Sequence, residues 1–122
     1  MTTKEIANKL VAYCREGKWS EAIDELYSDD IVAIEPEFSQ GPVHIEGLEA
    51  KKKKDEMFSE VMEEIHELRV SEPVVAGSMF SISMYMDSTM KGMERMAWEE
   101  ICLYQVKNGK IIREQFFYDM PE

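Results

Sequence analysis

The chain has 122 residues, 44% of them hydrophobic, which is the size and composition of one globular domain, here residues 1–122. Its formal net charge of −11 repels phosphate backbones and anionic lipid, so neither nucleic acid nor a membrane surface is expected as a partner. No apolar run approaches the ~18–20 residues of a membrane span, and the amino terminus lacks a signal-peptide core. We therefore expect a cytoplasmic protein.

The residues that most often bind metals or form disulfides are few. Cys14 and Cys102 fall in different predicted elements without CxxC spacing, so we expect two reduced thiols. His44 and His66 show no metal-binding spacing, and we predict no metal or cofactor. Five of the ten methionines lie between positions 79 and 93, and these flexible side chains suit either core packing or the lining of an apolar pocket.

Helical spacing dominates the first half of the chain. The first helix can be capped by Thr2 or Thr3 and ended by Gly17, and Ser20 can cap the second. Four consecutive lysines at 51–54 lie on the third helix; we expect them on a solvated face, with phosphate binding as the less favoured alternative. The predicted elements are, in order, helix 4–16, helix 20–27, strand 31–35, loop 37–43 and helix 45–62.

From about residue 65 the apolar residues alternate with polar ones, which is the period of strands. The predicted elements are strand 66–71, turn 76–78, strand 80–87, strand 97–106, a hairpin turn at Asn108-Gly109 and strand 111–119. Short turns between strands predict an antiparallel sheet, and helices gathered in one half of the chain predict an α+β fold. A strongly curved sheet with helices on its concave side would enclose a pocket.

Three stretches of the sequence carry a resemblance to a known family: EGKW to LYSDD at 16–30, IVAIEP at 31–36, and NGKIIRE to FYD at 108–119. They resemble the NTF2-like superfamily, in particular its SnoaL-like and ketosteroid-isomerase-like branch. The resemblance covers essentially the whole chain, and the order and spacing of the three stretches carry it. It implies an NTF2-like cone with a pocket at its open end, and it does not identify a function, because this fold hosts many.

The resemblance implies roles for two acids. Glu35 lies where the isomerases place the general base of an acid-proline pair, and a carboxylate at an apolar pocket has the raised pKa that this role requires. Glu100 lies near the second isomerase acid, which stays protonated and donates a hydrogen bond to the oxyanion. A one-residue adjustment of the hairpin would put Glu99 there instead. The alternative for Glu35 is a solvent-facing acid at a strand end, or one that caps a neighbouring backbone group. The alternative for Glu100 is an exposed or ion-paired strand residue.

Two positions depart from the pattern of the relatives. The slot of the isomerases' catalytic tyrosine holds Lys9, and Tyr13, one turn later on the same helix face, is the candidate substitute. Where the cyclase branch often has an acid after a tryptophan, this chain has Gln115-Phe116. These differences count against ketosteroid isomerization itself and against cyclase chemistry.

Period two predicts which side chains face the pocket. The resemblance makes these the concave faces of the strands, so Glu35, Glu100 and Glu114 would converge, and at least one of them would be protonated near neutrality. A hydrated cation is an alternative occupant of such a cluster. The predicted inward residues are Met84, Met86, Trp98, Glu100, Cys102, Tyr104, Ile112, Glu114, Phe116 and Tyr118.

Three functional interpretations remain open. The first is an isomerase or lyase that acts on an apolar carbonyl compound, with Glu35 as base and Glu100 or Tyr13 at the oxyanion. The second is a module that binds an apolar or partly polar small molecule without chemistry. The third is an assembly domain, because Ile101 and Phe117, with Leu103, are predicted on the outer face of the sheet and need a cover, which predicts a homodimer.

Overall fold

The computed structural model describes residues 1–37 and 43–119. Most of the predicted loop 37–43 and the last three residues of the predicted domain therefore lie outside the described residues. None of the helices in the described part of the chain has both the length and the apolar character needed to cross a bilayer. The elements are α1 (Thr3–Arg15), α2 (Trp19–Leu26), β1 (Tyr27–Ile34), β2 (His44–Glu46), α3 (Leu48–Val61), β3 (Met62–Val70), β4 (Val74–Ala76), β5 (Met79–Met90), β6 (Met96–Lys107) and β7 (Lys110–Phe117).

The seven strands form one sheet in the order β2-β1-β7-β6-β5-β3, with β4 paired to the same edge of β5. The predicted α+β class is confirmed, as are the antiparallel pairs of β5, β6 and β7. The β1–β7 pair, however, is parallel, and it joins the beginning of the sheet to its end. Hairpin signals in the sequence cannot predict this pair, because its strands are separated by most of the chain.

The first helix begins and ends one residue earlier than predicted, and its predicted cap Thr2 and its predicted stop Gly17 have these roles. Thr2 and Glu5 form a reciprocal capping box, and Gly17 takes the left-handed φ of 69° after the last turn. The second helix begins at Trp19, one residue before the predicted cap Ser20, and its first turn has no side-chain cap.

The region between the second and third helices differs from the prediction. The strand β1 begins at Tyr27 and includes the predicted break at 28–30, where its pairing with β7 shifts register. The predicted start of the third helix is instead the short strand β2, in which Ile45 is buried opposite Ala33. Gly47, with a φ of 93°, then turns the chain into α3.

The β6–β7 hairpin fixes which residues of the last strand face inward. Asn108 and Gly109 both have positive φ, at 53° and 74°, as a tight hairpin turn requires. A register shift follows the turn, so that Ile111 is fully buried and Ile112, predicted to face inward, is only partly buried. Past this bulge Glu114 is buried, as predicted.

The three helices lie on one face of the sheet, and the core lies between the helices and the sheet. Helix α1 supplies five buried residues and α2 three, whereas α3 supplies none. The strands contribute buried side chains in alternation, among them Met84, Met86 and Tyr104. On the opposite face Ile101 and Phe117 are 55% and 46% exposed. The apolar interior is therefore largest beneath α1 and α2, and α3 lies over a more polar region.

Candidate functional site

The most deeply buried acid is Glu114 in β7, which is 1% exposed. Its Oε2 accepts a hydrogen bond of 2.5 Å from the hydroxyl of Tyr27 in β1. Its Oε1 forms an ion pair with the ammonium of Lys51, which reaches down from α3. Burying a carboxylate is unfavourable unless it is paired and hydrogen-bonded, and these two partners meet that requirement.

Burial and the charge of Glu114 together set the protonation of its two partners. The pKa of Tyr27 is raised well above its ordinary value, first by burial and then by the charge of Glu114. Burial alone would lower the pKa of Lys51, but the charge and hydrogen bond of Glu114 outweigh it and raise that pKa. Tyr27 therefore remains a neutral donor and Lys51 a cation near neutral pH, which suits a fixed structural network.

A second ion pair lies beside the first. Glu35 follows the last residue of β1, and its Oε1 pairs with the ammonium of Lys54. Its Oε2 accepts a hydrogen bond of 3.2 Å from Tyr118, which follows β7. The Lys54 side chain is 33% exposed, whereas that of Lys51 is 12% exposed. The Glu35 pair therefore lies nearer to the solvent and the Glu114 pair deeper in the fold.

Both lysines belong to the basic run at 51–54, and the prediction that this run is a solvated helix face is wrong for them. Residues three apart lie on the same side of a helix, so Lys51 and Lys54 point to the sheet together. Their ammonium groups lie 5.5 Å and 5.6 Å from the ring centroid of Phe116, so both lysines lie close to the same aromatic ring. Lys52 and Lys53 remain on the outer side, where Lys52 pairs with Asp24 at 3.0 Å.

Glu100 on β6 has no ion pair among the described residues. Its Oε1 accepts a hydrogen bond of 3.6 Å from the thiol of Cys102. Burial, with the charge of Glu35 next, raises the pKa of Glu100 from 4.5 to about 7. The neighbouring Glu99 is exposed, so Glu100, rather than the alternative Glu99, faces the cluster.

Tyr13, the candidate substitute for the isomerases' tyrosine, has a different partner. Its hydroxyl donates a hydrogen bond of 2.5 Å to Glu25 of α2, and Lys9 pairs with the same carboxylate at 2.6 Å. This hydrogen bond, followed by burial, raises the pKa of Tyr13. Among the described contacts, none links Tyr13 to the three acids. The structure thus brings Glu35, Glu100 and Glu114 into one cluster and leaves Tyr13 outside it.

The apolar residues predicted for the site lie on the same face as the acids. Met84 and Met86 are buried on β5, where they are directly opposite Glu100 and Trp98 of β6. Trp98 and Phe116 are partly buried and pack against the core. The cluster of charges therefore continues along the sheet into an apolar surface of methionine and aromatic side chains.

Four residues of this region were not predicted from the sequence: Tyr27, Lys51, Lys54 and Ser88. The spacing of the two lysines was a usable signal, although four consecutive lysines conceal it. Ser88 continues the alternation of inward residues on β5 after Met86, and it is buried. Tyr27 carried no signal, because it was assigned to the end of the second helix.

Two cavities of the described structure lie away from the acid cluster. One, of about 430 Å³, is an open cleft beside Asp29, Asp30 and Glu46, and the other, of about 20 Å³, borders Leu103 and Arg113. Within residues 1–37 and 43–119, no group of three or more His, Cys, Asp or Glu side chains has the arrangement of a metal site. The space around the acids is occupied by the α3 lysines and Phe116.

Three helices across one face of an open, curved sheet, with acids gathered on that face, define a protein of the NTF2-like class. The profile of the SnoaL-like domain matches residues 1–118, and the chain belongs to the SnoaL-like family. A Mesorhizobium loti protein described as a SnoaL-like polyketide cyclase has a similar crystal structure. It is 35% identical, the match covers 97% of this chain and 100% of that one, and the TM-score is 0.88.

More distant structures share the fold alone. A Xanthomonas campestris protein of unknown function with a cystatin-like fold is 18% identical over 98% of this chain and 92% of its own, with a TM-score of 0.80. A Bacillus subtilis protein described as an isomerase is 20% identical over 98% of this chain and 90% of its own, with a TM-score of 0.73. No curated protein matches the sequence.

Proposed function

We propose that this protein moves a proton at a carbon next to the carbonyl group of a small, largely apolar molecule. The observation that carries the proposal is the pair Glu35 and Glu100, two carboxylates in one cluster whose surroundings differ. Glu35 is held by an ammonium and a phenol, whereas burial raises the pKa of Glu100 to about 7. Two acids in different surroundings, one ion-paired and the other buried without an ion pair among the described residues, are the pattern of an acid–base pair.

In the proposed reaction Glu35, as a carboxylate, takes the proton from the carbon. The electron pair of the C–H bond moves to form an enolate, and protonated Glu100 donates a hydrogen bond to the enolate oxygen. Return of the proton from Glu35 to the same carbon, or to another carbon of the conjugated system, completes an exchange or an isomerization. Each step conserves protons and electrons, so no co-reactant is required.

Lys54 must release Glu35 for this reaction to occur. Its side chain is 33% exposed, so the ammonium can turn toward the solvent when a ligand enters. Lys51 is not expected to move, because its partner Glu114 is almost fully buried. We therefore propose that Lys54 lies at the entrance of the site and moves when a ligand binds, whereas Lys51 stays fixed and has a structural role.

The likenesses to other proteins support a small molecule as the ligand. The Mesorhizobium loti relative is described as a polyketide cyclase, and polyketides are small organic molecules. The net charge of −11 favours a small molecule over nucleic acid as the partner. We further propose that the protein is cytoplasmic. Met84, Met86 and Trp98 would contact the apolar part of the ligand.

Deuterium exchange tests the proposal without knowledge of the natural substrate. Purified protein is incubated in heavy water with a panel of apolar ketones, steroid enones and polyketides, and loss of the proton signal next to the carbonyl is followed by NMR. We expect wild type to accelerate exchange of at least one compound. Glu35→Gln should reduce that rate by about 10²-fold or more, while Glu46→Gln, an exposed acid, should not change it.

The same experiment distinguishes catalysis from binding alone. Exchange that is equally fast in Glu35→Gln and wild type would refute the role of Glu35. Thermal stabilisation by a ligand in both proteins, without exchange in either, would instead support a binding module.

A second function is proposed from a separate observation, the outer face of the sheet. Ile101 and Phe117 lie directly opposite each other on β6 and β7, and both are about half exposed. Adjacent exposed apolar side chains on a sheet need a cover, and we propose that a second copy of the chain supplies it. Because this face is opposite to the acid cluster, dimerisation and the proposed catalysis are compatible.

A further inference from the structure

Ser88 is a buried polar residue to which the proposed reaction assigns no role. It lies on the inner face of β5 and is 2% exposed. Its hydroxyl has no hydrogen-bond partner among the described residues. Buried hydroxyl groups in folded proteins are nearly always hydrogen-bonded, because burial without a partner is unfavourable. The position therefore calls for a partner that residues 1–37 and 43–119 do not provide.

The surroundings of Ser88 are apolar. Its neighbours in register are Ile65 of β3 and Met96 of β6. The next inward residue of the same strand is Met86, which is opposite Trp98. A buried hydroxyl at the end of an apolar surface can orient a ligand whose body contacts that surface.

The sheet register relates Ser88 to the acid cluster. Met96, opposite Ser88, is four residues from Glu100 on the same strand, which at ~3.3 Å per residue corresponds to about 13 Å. The inward residues between these two points are Met86 and Trp98. The inner face thus has an acid at one end, a hydroxyl at the other, and methionine and tryptophan between them.

We infer that Ser88 forms a second polar subsite, which hydrogen-bonds an oxygen at the far end of an elongated ligand. This inference rests on the proposed function for the carbonyl end of that ligand. The ligand is a rigid, mostly apolar molecule with a carbonyl near Glu100 and a hydroxyl or second carbonyl about 10–13 Å away. Flexible acidic metabolites and sugars do not have this distribution of polar groups.

The test compares two probes, acetylbiphenyl and its analogue with a hydroxyl on the far ring, by titration calorimetry. The ketone and the hydroxyl of the analogue are at opposite ends of a rigid apolar body. We expect wild type to bind the analogue about fivefold more tightly, the usual contribution of one neutral hydrogen bond. Ser88→Ala should reduce the ratio of dissociation constants to about one, and Ser83→Ala, on the exposed face of the same strand, should leave it unchanged.

Several results would overturn the inference. One is equal affinity of wild type for the two probes, which would mean that Ser88 is bonded to a water only. Another is a preference for the analogue that persists in Ser88→Ala, and a third is no measurable binding of either probe. Folding of Ser88→Ala is checked by its thermal midpoint, which we expect to be unchanged or higher because an unpaired buried hydroxyl has been removed.

The two proposals can fail separately. Both probes have exchangeable protons next to the ketone, so the deuterium assay applies to the same complexes. A ratio of dissociation constants that depends on Ser88, without deuterium exchange, would support the subsite and refute the proposed reaction. Exchange that depends on Glu35, with equal affinities for the two probes, would do the opposite.

Discussion

The partly buried acid Glu100 should make the protein less stable as the pH rises. Burial and the nearby charge of Glu35 raise its pKa from 4.5 to about 7, so the folded state holds this proton more tightly than the unfolded state does. The contribution of Glu100 to stability is thus greatest below about pH 4.5 and is lost between about pH 4.5 and pH 7. At about 1.4 kcal/mol for each tenfold difference in proton affinity, the total loss is about 3 kcal/mol.

Glu100→Gln removes this titration and nearly preserves the shape of the side chain. At about pH 8 the variant should therefore exceed wild type in free energy of unfolding by about 2–3 kcal/mol, and at about pH 5 by much less. Urea denaturation followed by circular dichroism, at several pH values between these limits, measures both proteins. The difference between them isolates Glu100, because the other ionisable groups are common to both.

Glu99→Gln, the exposed neighbour on the same strand, is the matched control and should show no such pH dependence. A stability difference between Glu100→Gln and wild type that is the same at all pH values would refute the reasoning. A variant less stable than wild type at about pH 8 would refute it as well, because it would mean that ionised Glu100 is stabilised in the fold.

Three further predictions follow from the same structure. Lys51→Met should lower the free energy of unfolding in urea by about 3–5 kcal/mol, because it leaves a buried carboxylate unpaired, whereas the exposed Lys53→Met should change it by less than about 0.5 kcal/mol; equal effects would contradict the buried pair. Ile101→Glu should convert the proposed dimer to a monomer in sedimentation velocity, and a monomeric wild type at micromolar concentration would exclude that dimer. Cys14 and Cys102 should resist a thiol reagent at about pH 8 until the protein unfolds. The reason is that burial raises the pKa of Cys14 to about 12 and that of Cys102 still further. Rapid labelling of the native protein would contradict this prediction.

The fold was predictable where its signals are local. The Thr2 cap of α1, the Asn108-Gly109 turn and the alternation along β5 and β6 depend on neighbouring residues, and the structure confirms each of them. The parallel β1–β7 pair and the three-residue strand β2 depend on partners distant in sequence. A short window of the sequence cannot predict these features, because they form only when the strands pair with the rest of the sheet.

The sequence predicted the acidic residues of the candidate site but not its two lysines. Similarity to the isomerases indicated Glu35 and Glu100, and period two indicated Glu114. Lys51 and Lys54 were missed because four consecutive lysines do not show which side of the helix faces inward. The orientation of α3 over the sheet decides which of them point to the core. The bulge after Asn108 was equally invisible, although it determines that Ile111 rather than Ile112 is fully buried.

The two inward lysines explain how three acids can share one region of a chain with a net charge of −11. Lys51 offsets the charge of Glu114, and Lys54 offsets that of Glu35. Glu100 has no such partner among the described residues, and burial, with the charge of Glu35 next, raises its pKa to about 7. If a ligand displaces Lys54, Glu35 loses its compensating charge while Glu100 still holds a proton. Ligand entry would then create the unpaired base beside the protonated acid that the proposed reaction requires.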